Sequence, residues 1–300
     1  MKALLRRALD RMTHHSLVLG QARLVEVQLE WLAFRNGEVT VCNRTLSRGL
    51  GIRILTGGWG YAASQDLDGV ETLVDRAVAL ADAVAPHAYA HIGIGVDPPA
   101  LGEWTSPCEI DPFDVPMDEK LDWLRAATDA MGAVSVATAQ TMAIKRVTHF
   151  VSTEGSDFSQ QQVITGVSIG ATAIEDGKVQ IRTWPKSEDG NVAGRGWEYV
   201  LGHNLVEQAP MVAEEARQLI SAPKIPEGVH DIILDGAQLS LQIHESCGHP
   251  VEGDRVLGEE MSLAGGSFLQ PAQVGERYGS EIVDLYAEAT TEGAAGSFGW

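Results

Sequence analysis

A short stretch in the last quarter of the chain brings together residues that could bind a metal ion. His244 is followed directly by Glu245, and a second histidine, His249, comes five residues after the first. The familiar zinc helix H-E-x-x-H uses the same residue types, with its two histidines four residues apart. The stretch could therefore hold zinc, provided that the backbone turns both imidazole rings toward one ion.

The spacing of these histidines requires a distorted helix. Side chains four apart on an α-helix point about 40° from each other, whereas side chains five apart point about 140° from each other. Two ligands cannot meet one ion at the larger angle, so the helix must widen into a π turn or end before His249. Gly248 tolerates irregular backbone angles, and Pro250 pushes His249 out of the helical region. The sequence thus supplies the means for either distortion.

Other interpretations of this stretch remain open from spacing alone. A histidine pair with an intervening glutamate also occurs by chance in chains that bind no metal. The alternation of Leu239, Leu241 and Ile243 is typical of a strand and competes with a helix. Cys247 lies three residues after His244 on a similar helical face and could be a ligand or a buried structural thiol.

A wider run of sequence resembles one known family. Residues 244–254, H-E-S-C-G-H-P-V-E-G-D, resemble the H-E-x-x-x-H…E-G-D signature of the TldD/PmbA family of metallopeptidases. Further pieces resemble other parts of that family and come in its order along the chain, from about residue 20 to the end. They are R-G-L-G-I-R-I at 48–54, S-T-E-G at 152–155, G-R-G-W-E-Y at 194–199 and T-E-G-A-A-G-S-F-G-W at 291–300.

The resemblance implies roles for the residues of the signature. His244 and His249 would ligate Zn²⁺, and Glu245 would be the general base that takes a proton from the attacking water. Ligating imidazoles usually donate their other N–H to a carboxylate or carbonyl, so Glu252 and Asp254 could orient the histidines. Alternatively, these two carboxylates stabilise a turn or cap a helix. The implied reaction is hydrolysis of peptide bonds in small or unfolded polypeptides.

The third zinc ligand is expected outside this sequence. In the family it is a cysteine of the C-terminal domain, and the resemblance places it beyond residue 300. We therefore expect the 300-residue chain to be a fragment with an incomplete site. Cys247 is an alternative ligand, although its position would force a short and strained geometry.

The resemblance also bears on partners and on rival functions. The family contains subunits with the histidine signature and subunits without it, so we expect a homodimer or a heterodimer with a signature-lacking partner. Some members are called modulators of DNA gyrase, but a net charge of -19 repels phosphates and argues against direct nucleic-acid binding. A non-catalytic binding subunit and a cysteine hydrolase that uses Cys247 are the alternatives.

Composition limits the class and the compartment. An apolar content of 44% and a charged content of 21% are those of a soluble globular protein. No apolar run is long enough to cross a bilayer. The three cysteines are odd in number and widely separated, which favours a reducing compartment over a disulfide framework. We expect a cytoplasmic protein without a membrane span.

Hydrophobic periodicity and turn residues predict an α+β fold. Strand-like stretches alternate with amphipathic helices, and Asn36-Gly37 is a strong hairpin signal. These patterns predict an N-terminal α/β domain with a mostly antiparallel sheet, then the start of a β-rich C-terminal domain that carries the metal-binding helix. The predicted helices cover the start of the chain, 69–84, 118–131 and 205–221, and the predicted strands cover 24–34, 39–41, 48–55, 163–173 and 179–184.

The domain boundary is expected near a proline- and glycine-bearing linker. The stretch 223–228 separates a first domain, 1–223, from the beginning of a second, 224–300. After the linker, the apolar run at 231–235 predicts a short buried strand that leads to the metal-binding segment. The polar, glycine-rich stretch 185–196 predicts a mobile loop.

Overall fold

The computed structural model describes residues 2–88, 98–185, 191–259, 263 and 265–299. Long strands and amphipathic helices form the first three-quarters of the chain, and short helices and turns form the rest. The helices are α1 Lys2–Met12, α2 Val70–Val84, α3 Met117–Ala130, α4 Trp197–Gly202, α5 Leu205–Ser221, α6 Gly236–Ile243 and α7 Gly253–Leu257. The strands are β1 Leu19–Arg35, β2 Glu38–Leu55, β3 Trp59–Ser64, β4 Leu101–Thr105, β5 Val136–Ser152, β6 Asp157–Glu175, β7 Lys178–Trp184 and β8 Asn191–Ala193.

The eight strands form one sheet in the order β3-β2-β1-β5-β6-β4, and β7 and β8 also pair with β6. Only the β4–β6 pair is parallel among the described strands. The α+β fold class with a mostly antiparallel sheet is therefore confirmed. Predicted helices α1, α2, α3 and α5 are also present, with ends within a residue or two of the expected ones.

Turn chemistry sets the register of the longest hairpin. Asn36 and Gly37 have φ angles of 52° and 77°, as a tight hairpin turn with the hand of the sheet twist requires. From this turn, β1 and β2 pair along their whole length, from Arg35 opposite Glu38 to Leu19 opposite Leu55. The sequence predicted two strands here, at 39–41 and 48–55. The polar residues between them carry no strand pattern, but β1 supplies hydrogen-bond partners, so β2 continues through them.

Helices cover one face of the sheet. Because side chains alternate along a strand, Leu24, Leu32 and Phe34 lie on one face of β1, while Arg23 lies on the other. Under α1 and α2, the core contains Leu5, Ala8, Leu24, Ile52, Ile54, Val74 and Ala77. Between the sheet and the helices α3 and α5, the core contains Leu32, Phe34, Leu124, Ile169, Trp197, Val212 and Ala213.

A charged cluster is buried between α3 and the sheet. The side chains of Lys120 and Glu30 are 0% and 2% exposed, and the ammonium donates to the Glu30 carboxylate and to the carbonyl of Pro112. Arg44 of β2 donates to the other oxygen of Glu30. Burial lowers the pKa of Lys120, although Glu30 opposes this shift. The cluster fixes α3 and the connection before it against β1 and β2.

Two local predictions are wrong. Residues 231–235 form no strand, and the side chains of Ile232 and Ile233 are 77% and 99% exposed. No neighbouring strand pairs with this run among the described residues, so its apolar composition does not produce a strand. In the predicted loop 185–196, the strand β8 pairs with β6. The part of that loop at 186–190 lies outside the described residues.

The division into domains 1–223 and 224–300 stays a prediction. The described residues after α5 form short helices and turns without a strand, so the β-rich character of a second domain stays a prediction too. None of the described helices is long and apolar enough to cross a membrane.

Candidate metal centre

A capped helix leads into the histidine signature. The side chain of Asp235 accepts a hydrogen bond from the amide of Gln238 at 3.2 Å, which begins α6 at Gly236. The strand-like alternation of Leu239, Leu241 and Ile243 does not produce a strand, and all three side chains are exposed. Asp235 and the hydrogen bonds within the turn satisfy the backbone of this segment, whereas a strand would need a partner that the described residues do not provide.

A π turn follows α6 directly. Residues His244–Gly248 are π-helical, and the amide of His249 donates to the carbonyl of His244. This i→i+5 bond places residues five apart on the same side of the widened helix. The two imidazole rings therefore lie together, with centroids 4.3 Å apart and planes at 70°. The distortion that the five-residue spacing demands is present in the structure, and His249 then begins a 3₁₀ turn with Pro250.

Glu245 lies between the two imidazoles. One carboxylate oxygen is 3.8 Å from Nε2 of His244, and the other is 4.0 Å from Nε2 of His249. One ligand atom from each of the three residues lies within 4.8 Å of the others. The side chains of His244 and Glu245 are 58% and 61% exposed, so the group faces solvent.

Glu252 contacts the ring of His249. Its Oε1 lies 2.8 Å from Nδ1 of His249, and its other oxygen accepts a hydrogen bond from Arg255. The hydrogen bond with His249 is the main reason why the pKa of Glu252 lies below its ordinary value, and the bond from Arg255 adds to the effect. With Nδ1 engaged, Nε2 of His249 is the nitrogen that faces His244 and Glu245.

Arg255 is a residue of the site that the sequence reasoning missed. Its guanidinium approaches Nδ1 of His249 to 3.1 Å and also binds Glu252. The available signal was its position three residues after Glu252, which places the two side chains together on one turn of helix. Asp254, in contrast, accepts a hydrogen bond from the backbone amide of Arg255 at 2.8 Å. No contact joins Asp254 to either histidine within the described ranges, so the geometry favours its turn role.

Cys247 and Tyr278 lie on another side of the π turn. The hydroxyl of Tyr278 donates to the carbonyl of Ser246, and its ring lies 5.5 Å from that of Phe268. Burial, together with a hydrogen bond with Cys247, raises the pKa of Tyr278. The sulfur of Cys247 does not belong to the converging group formed by the histidines and Glu245 in the described part of the chain.

The segment that carries the site has little core of its own. Among the described residues, the buried apolar side chains end with Ile220 in α5. Around the site, Leu241, Val251 and Leu257 are 54%, 60% and 65% exposed. The local geometry therefore depends on backbone hydrogen bonds and on the Glu252 contacts more than on apolar burial.

Two family models match the chain. The model described as PmbA/TldA metallopeptidase domain 1 matches residues 20–81. The model described as the PmbA/TldA metallopeptidase central domain matches residues 110–222. Together they cover more than half of the chain, and they include most of the sheet and the helices that pack on it.

Curated relatives are named as metalloproteases. A metalloprotease from Methanocaldococcus jannaschii is 26% identical over 275 residues, which cover 89% of this chain and 57% of the relative. One from Methanothermobacter thermautotrophicus is 23% identical, covering 95% of this chain and 59% of the relative. A metalloprotease TldD homologue from Haemophilus influenzae is 22% identical, covering 96% and 59%. The chain thus spans less than two thirds of the length of these relatives.

Solved structures share the fold. A protein from Thermotoga maritima, named as a candidate modulator of a DNA gyrase, gives a TM-score of 0.56 at 19% identity, covering 76% of this chain and 50% of that one. A similarly named protein from Bacteroides thetaiotaomicron gives a TM-score of 0.51 at 12% identity, covering 73% of this chain and 49% of that one. Fold, family models and curated relatives agree, and the chain belongs to the TldD/PmbA family of metallopeptidases.

Proposed function

We propose that this chain is the signature-bearing part of a zinc-dependent peptidase that hydrolyses peptide bonds in small or unfolded polypeptides. The observation that carries the proposal is the π turn that brings Nε2 of His244 and Nε2 of His249 to opposite oxygens of Glu245. The metalloprotease names of the relatives support the same reaction class.

The donor set fits zinc. The two imidazole nitrogens match a ligand type that zinc prefers, and the carboxylate of Glu245 lies within 4.8 Å of them, in reach of a water bound to the metal. The contact from Glu252 to Nδ1 of His249 fixes the ring and leaves Nε2 for the metal, as in other histidine-ligated sites. We assign His244 and His249 as ligands and expect a third protein ligand beyond residue 300.

Each residue of the centre has a defined task in hydrolysis. When bound, zinc would supply an acidified water and polarise the scissile carbonyl. Glu245 accepts the proton of the attacking water and delivers it to the leaving amine, since its carboxylate faces both ligand nitrogens. Nδ1–H of His249 donates to Glu252, which holds the ring in place, and Arg255 in turn holds the Glu252 carboxylate through its own hydrogen bond. The exposure of His244 and Glu245 leaves room for an extended polypeptide.

The whole protein is proposed to act as a dimer in the cytoplasm, with itself or with a signature-lacking family partner. The net charge of -19 argues against direct binding to nucleic acid, so an effect on a DNA enzyme would be indirect.

The test is zinc content together with peptide cleavage, measured on the full-length protein and on Glu245→Gln. The variant should keep its zinc but lose cleavage by about a hundredfold or more, the usual size of a general-base contribution. Glu281→Gln changes an exposed carboxylate in the same segment and is the matched control, for which both measurements should stay unchanged. Near wild-type cleavage by Glu245→Gln would rule out its role as the base.

A non-catalytic binding subunit is the second candidate. The exposed apolar side chains around α6 favour it, because such surface is typical of a site that contacts another chain. A binding subunit would hold no stoichiometric zinc, so metal analysis separates the two functions. A cysteine hydrolase would instead lose activity on thiol alkylation and ignore chelators, and the position of Cys247 beside Tyr278 does not support it.

A further inference from the structure

The open face of the sheet contains a groove that the metal centre does not explain. In the R-G-L-G-I-R-I run of β2, Leu50 and Ile52 are buried under the helices. Alternation therefore places Gly49, Gly51 and Arg53 on the opposite face. A cavity of about 570 Å³ lies over the two glycines there. Its other lining residues include Gln21, Arg23, Tyr61, Gln65 and Phe150.

Two arginines at this end of the groove have no acidic partner among the described residues. Arg23 lies opposite Gly51 and Arg53 lies opposite Gln21, so the two are diagonal neighbours, about 7–8 Å apart. Within the described ranges, no carboxylate oxygen lies within 4.0 Å of either guanidinium, and both side chains are exposed. They stack instead on the rings of Phe150, at 5.5 Å, and Trp59, at 3.8 Å.

This arrangement differs from that of the arginines on the helix-covered face. There, Arg48 binds Glu26 and Arg44 binds Glu30. A chain with a net charge of -19 has ample acid to pair its arginines. Two adjacent guanidinium groups without a carboxylate are therefore a local positive site, suited to an anion that the protein does not itself provide.

Aromatic rings border the arginines. Phe150 and Phe158 stack with centroids 4.9 Å apart, and the 63% exposed Tyr61 lies over Gly51. A Cβ atom at Gly51 would lie only 3.1 Å from the Tyr61 hydroxyl, so glycine allows the ring to lie there. These rings can cover an apolar side chain next to a bound anion.

The far end of the groove already holds polypeptide. A second cavity of about 600 Å³ shares Arg23 and Phe150 with the first and extends to Gln160 and Gln162. The amide of Gln160 donates to the carbonyl of Phe298 at 2.5 Å. That of Gln162 donates to the carbonyls of Ala295 and Ser297 at 3.0 and 2.9 Å. The glutamine side chains thus bind backbone carbonyls of residues 295–298, a segment that begins in a turn, while the arginine end stays open.

We propose that this groove binds the C-terminal residues of a polypeptide, with its terminal carboxylate between Arg23 and Arg53. Guanidinium groups bind carboxylates through paired hydrogen bonds, Gln21 and Gln65 can bind peptide groups, and Tyr61 and Phe150 can cover the last side chain. A nucleic acid would bring many phosphates to a strongly acidic protein, which disfavours it. The choice of a peptide as ligand rests on the proposed function.

The test is equilibrium binding of N-terminally labelled, unstructured decapeptides that end in phenylalanine, followed by fluorescence anisotropy. One set has a free C-terminal carboxylate, the other is amidated, and a labelled single-stranded oligothymidine is the third probe. EDTA is present throughout, so the result does not depend on zinc or on cleavage. We expect the free acid to bind at least about tenfold more tightly than the amide, the size of a charge-assisted hydrogen bond.

Variants locate the binding site. Arg23→Gln combined with Arg53→Gln should weaken binding of the acid about tenfold or more and make acid and amide equal. Gly49→Leu should weaken the binding of both peptides, because the new side chain fills the groove. The fold should tolerate this substitution, since a Cβ atom at Gly49 would meet only the Ser64 carbonyl, at 3.7 Å. Arg48→Gln, on the opposite face of the same strand, should bind like wild type.

Several results would overturn the proposal. They are no measurable peptide binding, equal affinity of wild type for acid and amide, or wild-type affinity in the double variant. Tighter, arginine-dependent binding of the oligonucleotide would assign the groove to nucleic acid instead. The binding assay is run in EDTA, so its result does not depend on zinc. If the chain is not a zinc peptidase, the difference in affinity between acid and amide should still be seen. Failure of the groove proposal can therefore be distinguished from failure of the proposed function.

Discussion

The amide of His249 donates to the carbonyl of His244, and this bond brings two imidazole rings five residues apart to 4.3 Å. A regular α-helix would separate them by about 140°. The extra residue of the signature is thus absorbed by the backbone, and Glu245 comes to lie between the two ring nitrogens. Backbone geometry within one short segment is thus enough to bring His244, Glu245 and His249 together.

Glu252 is predicted to matter for zinc affinity. Replacing it with alanine removes the partner of Nδ1 of His249, and loss of such a partner typically costs ten- to a hundredfold in metal affinity. Competition with a zinc chelator on the full-length protein measures the change. Asp254→Asn, which alters only a contact to a backbone amide, should have a much smaller effect. Equal losses in both variants would contradict the orienting role of Glu252.

Lys120 is predicted to be required for stability. Lys120→Met leaves the carboxylate of Glu30 buried with Arg44 as its only charged partner in the described part of the chain, and breaking a buried pair costs about 3–5 kcal/mol. Denaturant unfolding measures the loss. Lys145→Met removes a pair with Asp111 in which both side chains are 23% exposed, so water can still solvate the remaining carboxylate, and the cost should be clearly smaller. A stable Lys120→Met protein would mean that Glu30 takes up a proton at little cost.

The contact between α1 and α2 is predicted to weaken in acid. Hydrogen bonds from Arg11, at 2.7 Å to each oxygen, hold the pKa of Asp75 below its ordinary value of 3.8, and His15 adds to the effect. Because the folded pKa is lowered, the stabilisation is complete above 3.8 and is lost as the pH falls through the folded pKa.

Thermal unfolding from about pH 6 down to about pH 2.5 tests this dependence. At the higher pH, the melting temperature of the wild type should exceed that of Asp75→Asn. At the lower pH, the two melting temperatures should become equal. Arg11→Gln removes the same contact and should show the same convergence. A gap that persists at the lowest pH would show that Asp75 acts through packing and not through its charge.

Cys108 is predicted to resist alkylation. Burial raises the pKa of its thiol to about 11, and the carboxylates of Glu198 and Asp111 act in the same direction. Only the thiolate reacts, so at neutral pH iodoacetamide should modify Cys108 at least about tenfold more slowly than the exposed Cys42. Mass spectrometry of digested protein measures both rates, and unfolding in denaturant should make them equal. Comparable rates in the folded protein would contradict the burial of this thiol.

Local chemistry allowed much of the fold to be predicted from the sequence. The Asn36-Gly37 turn, the alternation in β1 and the apolar faces of α2, α3 and α5 each depend on residues close together in the chain. The same holds for the candidate site, because the two proposed histidine ligands, the proposed base and Glu252 all lie within nine residues. The five-residue spacing even indicated the backbone distortion that the structure contains.

Tertiary structure decided whatever depends on a partner distant in sequence. The apolar run at 231–235 is not a strand, because a strand needs a neighbouring strand to satisfy its backbone hydrogen bonds. The hydrophobic pattern of a segment does not show whether such a neighbour is present. Lys120 meets Glu30 across ninety residues, and no local pattern marks a buried lysine. Likewise, Arg23, Gly51 and Phe150 form one groove only because the registers of β1 with β2 and β5 place them side by side.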